Sequence, residues 1–331
     1  MTYQKVTIDR RRIPDDAVET IWHTADGWPI RKIDMAAGGV TGGTVRGSML
    51  FLPGRGDIYE KYLETLAHWQ AQGWNVSAAD WRGQGGSGRL SDHQFVGHID
   101  DFSTWIDDIS ALWRAWQTQT PAPHVIIGHS MGGHLIARAI IEKRIDPVAA
   151  VLSAPMLGLK GLGLPASFGH AVTRVMRGLG KAERPAWKVS EKPASPLAIR
   201  QTLLTHDNDR YADELDWWAQ RPNLVMGPAS WHWVERAYDS TRRTNAPGQW
   251  ESVTVPTLLI GTRADQLVDN DAIIDAAARI PDSELLVFGR EARHEVLREV
   301  DSVRDKVLQT IDAFLARKVP APLAEGTGAL A

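Results

Sequence analysis

Residues 124–141 read HVIIGHSMGGHLIARAII: an apolar run, then the Gly-x-Ser-x-Gly pentapeptide Gly128-His129-Ser130-Met131-Gly132, then apolar residues at helical spacing. The run His124 to Ile127 suits a buried strand and Met131 to Lys143 a helix, so Ser130 falls at a strand-to-helix turn. Such a turn strains the serine backbone, and the glycines on either side let neighbouring chain pass close enough to permit it. It also sets the Ser130 hydroxyl above the sheet edge. There the N–H of Met131 and the positive end of the helix dipole face any developing oxyanion.

Outward from this turn, short β-branched or apolar runs alternate with longer patterns of helical period, which is the signature of an α/β parallel sheet covered by helices. Strands are expected at Thr44–Leu52, Trp74–Ala79, His124–Ile127, Val148–Leu152, Val255–Ile260 and Glu284–Phe288. Helices are expected at Tyr59–Gln72, Phe102–Trp116, Met131–Lys143, Asp271–Arg279 and Val296–Ala316. Residues before about 44 read as an antiparallel lead-in turning at Ala25-Asp26-Gly27. The alternation breaks after Pro155 and resumes near 252. The expected organisation is a core at 1–155 and 252–318, a helical cap inserted at 156–251, and a loose Pro/Ala/Gly-rich tail at 319–331.

A serine hydroxyl needs a base, and the base needs an orienting acid, each at the end of a later strand. Asp265 follows the strand ending at Ile260 within GTRADQLVD, and His294 follows the strand ending at Phe288 within GREARHEV. Asp269 is the other acid in reach, although it also suits an N-cap for the next helix. After the strand ending at Leu52, Pro53-Gly54-Arg55-Gly56 offers a second oxyanion donor, the backbone N–H of Arg55, to pair with that of Met131. Arg82–Gly88 (RGQGGSG) contains a formal G-x-G-x-x-G, but no helix opens after it, so it reads as a structural loop rather than a dinucleotide site. His93, His98 and His129, with Asp80 or Asp100, match no zinc spacing, and neither a metal nor an organic cofactor is expected.

Composition removes other classes. Without cysteine there is no disulfide framework, thiolate metal site or thiol nucleophile, and 37 basic against 40 acidic residues leave no field to recruit nucleic acid. No signal-peptide core and no run of about 20 apolar residues is present, so a cytoplasmic protein is expected, with contact at a membrane surface left open. Oligomeric state is not readable. In the insertion, Met156, Leu157, Leu159, Leu162, Leu164 and Phe168 lie among glycines, either as an apolar cover over a pocket or as packing onto the core. Trp231, His232 and Trp233 are candidate substrate-binding residues, or aromatics of a helix core.

From about Thr44 to Ala316 the chain resembles the serine hydrolases of the α/β-hydrolase superfamily, more narrowly the bacterial lysophospholipase and monoacylglycerol lipase group. The resemblance rests on LPGRGDIYEKY, DWRGQGGSGR, GHSMGG, SAPMLG, GPASWHWV and the segments carrying Asp265 and His294. The chain order Ser130, Asp265, His294 is that of the superfamily. Pro53 stands where many relatives have His, a departure that itself resembles the lysophospholipase branch. The resemblance implies hydrolysis of a carboxylic ester, lysophospholipid or monoacylglycerol, through an acyl-enzyme on Ser130. Alternatives on the same fold are a short-chain carboxylesterase, a lactonase or an aminopeptidase, the last gripping an ammonium with Asp213, Glu214 or Glu235. A non-catalytic ligand-binding protein is the alternative of another class.

Overall fold

The structure, a computed structural model, describes residues 6–38, 45–160, 166–181, 183–187 and 197–319. Eight strands form one sheet: β1 Ala17–His23, β2 Pro29–Met35, β3 Gly47–Leu52, β4 Trp74–Ala79, β5 His124–His129, β6 Ala149–Ser153, β7 Thr257–Thr262 and β8 Ser283–Phe288. Their order is β1-β2-β4-β3-β5-β6-β7-β8. β1 and β2 form the antiparallel lead-in, β2 also pairs antiparallel with β4, and every other pairing is parallel.

The central strands are apolar on both sides because helices cover both faces. Side chains alternate between two cores. Leu50, Leu52, Ile126, Ala150, Leu152 and Leu259 point toward α2 (Phe102–Gln117), α3 (Met131–Ile141) and α8 (Asn270–Arg279). Met49, Phe51, Val125, Ile127, Val151, Leu258 and Ile260 face α1 (Leu63–Ala71) and α9 (Asp301–Lys318). Between β6 and β7 lie α4 (Ala166–Gly178), α5 (Leu197–Leu204), α6 (Asn208–Gln220) and α7 (Trp231–Thr244), with no strand of the sheet among the described residues.

The differences from expectation are local. Tyr59–Tyr62 is a 3-10 turn ahead of α1, and Val296–Arg298 is another ahead of α9. In the second case the Glu299 carboxylate accepts from the amides of Arg293, His206 and Val300, which diverts the chain before the helix can begin. Met156 and Leu157 are core residues, 3% and 0% exposed, and not part of a cover. Leu159 packs against the same core, whereas Leu162 and Leu164, and the tail beyond Val319, lie outside the described residues. The loop at 82–88 folds back onto Asp80, whose Oδ2 accepts from the Gly86 amide at 2.8 Å, and the chain enters no helix before Phe102.

The turn after β5 depends on contact between backbones. A Cβ on Gly132 would lie 2.4 Å from the Leu52 carbonyl oxygen and 2.5 Å from that of Pro53. Because backbone cannot give way as a flexible side chain can, Gly132→Ala is expected to destabilise the fold by about 1–3 kcal/mol. Urea unfolding should show this as a lower midpoint with an unchanged slope.

Candidate active site

Ser130 sits between β5 and α3 with φ 52° and ψ −117°, the left-handed region that a residue with a Cβ seldom adopts. Two backbone bonds hold it there: the Ser130 amide donates to Ser153 O at 2.9 Å, and the Met156 amide donates to Ser130 O at 3.0 Å. The end of β6 therefore fixes the turn. Gly128 is needed for a separate reason, since its Cβ would fall 2.7 Å from the backbone of Gly132 and Gly133.

His294, in the loop between β8 and α9, brings Nε2 to 2.9 Å from the Ser130 Oγ. Its Nδ1 lies 2.7 Å from Oδ2 of Asp265, in the loop after β7. The other oxygen of Asp265 accepts from the amides of Leu267 at 2.8 Å and Val268 at 3.0 Å, which orients the carboxylate toward the imidazole. Asp269 does not join this chain; it caps α8 by accepting from the Asp271 amide at 3.0 Å.

Burial opposes charge on both members of the pair, and attraction between them wins. For His294 burial alone would lower the pKa, but the Asp265 charge and hydrogen bond raise it above the usual histidine value. For Asp265 burial is likewise outweighed, by His294 and the two amides, so its pKa is lowered. His129, whose ring is 4.8 Å from that of His294, is pushed down to about 4 by burial and by His294, and stays neutral at pH 7.

The loop after β3 comes close to the serine: a Cβ on Gly54 would lie 3.1 Å from that of Ser130. The Gly54 amide donates to Asp57 Oδ2 at 3.4 Å and the Gly56 amide to Gln84 Oε1 at 2.6 Å. Between them the Arg55 amide has no acceptor among the described residues. Met131 opens α3, so its N–H is one that an α-helix leaves without an intrahelical acceptor. The Arg55 and Met131 amides are thus both without a partner among the described residues, one in the loop against Ser130 and one next to it in sequence.

The sequence reading missed the residues that hold this loop. Asp57 also accepts from Tyr62 Oη at 2.6 Å and pairs with Lys61 at 2.7 Å; Lys61 Nζ reaches Glu295 at 2.6 Å and Glu214 of α6 at 3.1 Å. The i,i+4 spacing of Asp57 and Lys61 was the one available signal. Of the three aromatic candidates in the insertion, Trp233 is 5% exposed, packs on Phe102 and lies under the Arg55 guanidinium, 5.5 Å from it. Trp231 instead meets Arg184, and His232 Nε2 bonds Asp100 O at 2.8 Å. Nothing brings either to Ser130.

Among curated proteins, the chain is 29% identical to lysophospholipase L2 of Escherichia coli over 279 residues, covering 81% of this chain and 80% of that one. Among solved structures it is similar to a monoglyceride lipase from Saccharomyces cerevisiae, with TM-score 0.74 and 16% identity over 96% of this chain and 99% of that one. It is also similar to a monoacylglycerol lipase from Paleococcus ferrophilus, with TM-score 0.67 and 19% identity over 87% and 99%. These likenesses establish the α/β-hydrolase fold. The family model described as "Serine aminopeptidase, S33" matches residues 43–301, and the chain belongs to that family.

Proposed function

We propose that the protein hydrolyses a carboxylic ester, lysophospholipid or monoacylglycerol, through an acyl-enzyme on Ser130. The observation that carries this reading is the continuous hydrogen-bonded chain from Ser130 Oγ through His294 to Asp265. In the proposed reaction His294 Nε2 takes the Ser130 proton as Oγ attacks the ester carbon. The amides of Arg55 and Met131 hold the oxyanion, and His294 returns the proton to the departing alcohol. The same histidine then takes a proton from water as it attacks the acyl-serine, and gives that proton to Ser130 Oγ as the fatty acid leaves. Asp265 keeps the imidazole in the tautomer that accepts from serine. The name of the Escherichia coli relative supports the lipid ester as substrate.

The family description names aminopeptidases, and that activity would require a free carboxylate for the substrate ammonium. The three carboxylates the sequence offered are all engaged. Asp213 holds Arg10 and Arg11, Glu214 holds Arg200 and Lys61, and Glu235 holds His170, Arg177 and Arg236. Pure ligand binding, the alternative of another class, gives no reason for a base matched to the serine.

We further propose a peripheral contact with a lipid surface through α4, consistent with a cytoplasmic protein that visits a membrane. No helix among the described residues is long and apolar enough to cross one. The helix turns its polar side inward: His170 and Arg177 pair with Glu235 of α7 at 3.1 and 3.2 Å. Its apolar side faces outward, with Phe168, Val172 and Val175, and Leu179 just past its end, between 39% and 62% exposed at spacings that form a single stripe. The helix carries no acidic residue and two arginines, Arg174 and Arg177, the composition of helices that lie in a lipid interface.

Ser130→Ala is expected to lower kcat on lysophosphatidylethanolamine and 1-oleoylglycerol by about four to six orders of magnitude. Full retention of fatty-acid release by the pure variant would overturn the reading. In the wild type, kcat/KM should fall as pH drops through a value above the usual histidine pKa, because His294 must be neutral to accept the proton. Asp265→Asn removes the charge that raises that pKa while burial still lowers it. The acid limb should therefore move to lower pH as the plateau falls roughly ten-thousand-fold. Val175→Asp with Leu179→Asp should abolish co-sedimentation with vesicles containing phosphatidylglycerol, and leave turnover of a short soluble ester in place.

A further inference from the structure

Among the described residues, the ions near Ser130 are paired, with one exception. Asp57, Glu214 and Glu295 are matched by Lys61, Arg200 and Arg298, three carboxylates against three cations in one buried network. Arg55 stands beside this network with no carboxylate within salt-bridge distance among the described residues. Nη1 and Nη2 donate to one neutral acceptor, Gly227 O, at 3.2 and 3.0 Å. A guanidinium carries five N–H donors, so three are left without an acceptor among the described residues. Burial, then the nearby charge of Arg200, push its pKa down to about 10, so it remains a cation at pH 7 without a carboxylate partner among the described residues.

The side chain is nevertheless held in place. Its guanidinium lies 5.5 Å from the rings of both Trp187 and Trp233. Gly97 leaves room for it, since a Cβ there would fall 2.9 Å from Nη1. Trp187 is 40% exposed, so the guanidinium lies between a buried ring and one that meets solvent. The same residue's backbone amide is the proposed oxyanion donor, which ties the unpaired cation to the point where the ester carbonyl would sit. In an sn-1 lysophospholipid the phosphorus lies a glycerol's length, about 7 Å, from the ester carbon, a distance that one extended arginine side chain covers.

We infer that the Arg55 guanidinium is the subsite for the phosphate of a lysophospholipid, with the oxyanion amide and the phosphate anchor supplied by one residue. This deepens the ester-hydrolase reading and rests on it. A planar fork of donors matches two phosphate oxygens, and a monoacylglycerol offers no such group. The residue would thus make the enzyme prefer phosphorylated over neutral glycerides of the same acyl chain.

The test compares wild type, Arg55→Gln and Arg55→Lys on 1-oleoyl lysophosphatidylethanolamine and 1-oleoylglycerol in identical mixed micelles, reading the ratio of the two kcat/KM values. The loop carries the oxyanion amide, so both values can fall; the ratio isolates the guanidinium. Arg55→Gln should lower it roughly ten- to hundredfold, as loss of a hydrogen bond to a charged group does, and Arg55→Lys should restore part of it. A ratio unmoved by Arg55→Gln overturns the inference. A second measurement needs only the folded wild type: sn-glycerol 3-phosphate should inhibit short-ester turnover competitively where glycerol does not, and equal effects of the two would also overturn it. Should 1-oleoylglycerol be hydrolysed through Ser130 while the ratio stays fixed, the phosphate subsite alone falls. If neither lipid is hydrolysed through Ser130, the ester-hydrolase reading falls and takes the subsite with it.

Discussion

A single ammonium ties together three parts of the chain that meet around Ser130. The Lys61 side chain is 1% exposed and lies among the carboxylates of Asp57, Glu295 and Glu214. Asp57 fixes the Gly54 amide, Glu295 follows His294, and Glu214 belongs to α6 of the insertion. Burial works against this ammonium, and the three anions more than compensate, leaving its pKa raised. Such a cluster contributes little net stability compared with an apolar replacement, but removing one member strands the others without a partner. Its value is geometric. The loop carrying the Arg55 amide, the loop carrying the imidazole and the helices above them are held in one fixed relation.

The insertion takes part in this more directly than its irregular sequence suggests. The last turn of α5 accepts from the amides of His294 and Glu295, through Leu203 O at 3.4 Å and Leu204 O at 2.8 Å. The histidine loop therefore gains two of its backbone bonds from the segment between β6 and β7. A change in where α5 sits would reach the imidazole through those bonds before it altered any side chain at the serine.

What could be read from the sequence follows from the range of the interactions involved. Ser130, Asp265 and His294 were legible because each closely follows an apolar strand, and a strand end is a local signal. Asp57 and Lys61 were not, because a carboxylate and an ammonium four residues apart look like a solvated helical face; their partner Glu295 is 234 residues from Lys61. Trp231-His232-Trp233 suited either a pocket lining or the core aromatics of a helix, because the sequence does not show which way each neighbour on a helix points. Only Trp233 turns toward Arg55, and Trp231 and His232 look elsewhere. Met156 and Leu157 were ambiguous between cover and core because composition carries no direction.

Helix α4 reverses the usual arrangement, and this gives its two sides different dependences on the medium. The inner side is held by the Arg177–Glu235 ion pair and a hydrogen bond between His170 and Glu235, and the outer side presents Phe168, Val172 and Val175, with Leu179 just past its end, to water. Mobile ions screen the first kind of contact and leave the second in force. As ionic strength rises, the grip of the protein on this helix weakens while the tendency of its outer stripe to leave water persists. How firmly α7 holds this helix is thus set by the salt around the protein as well as by its sequence.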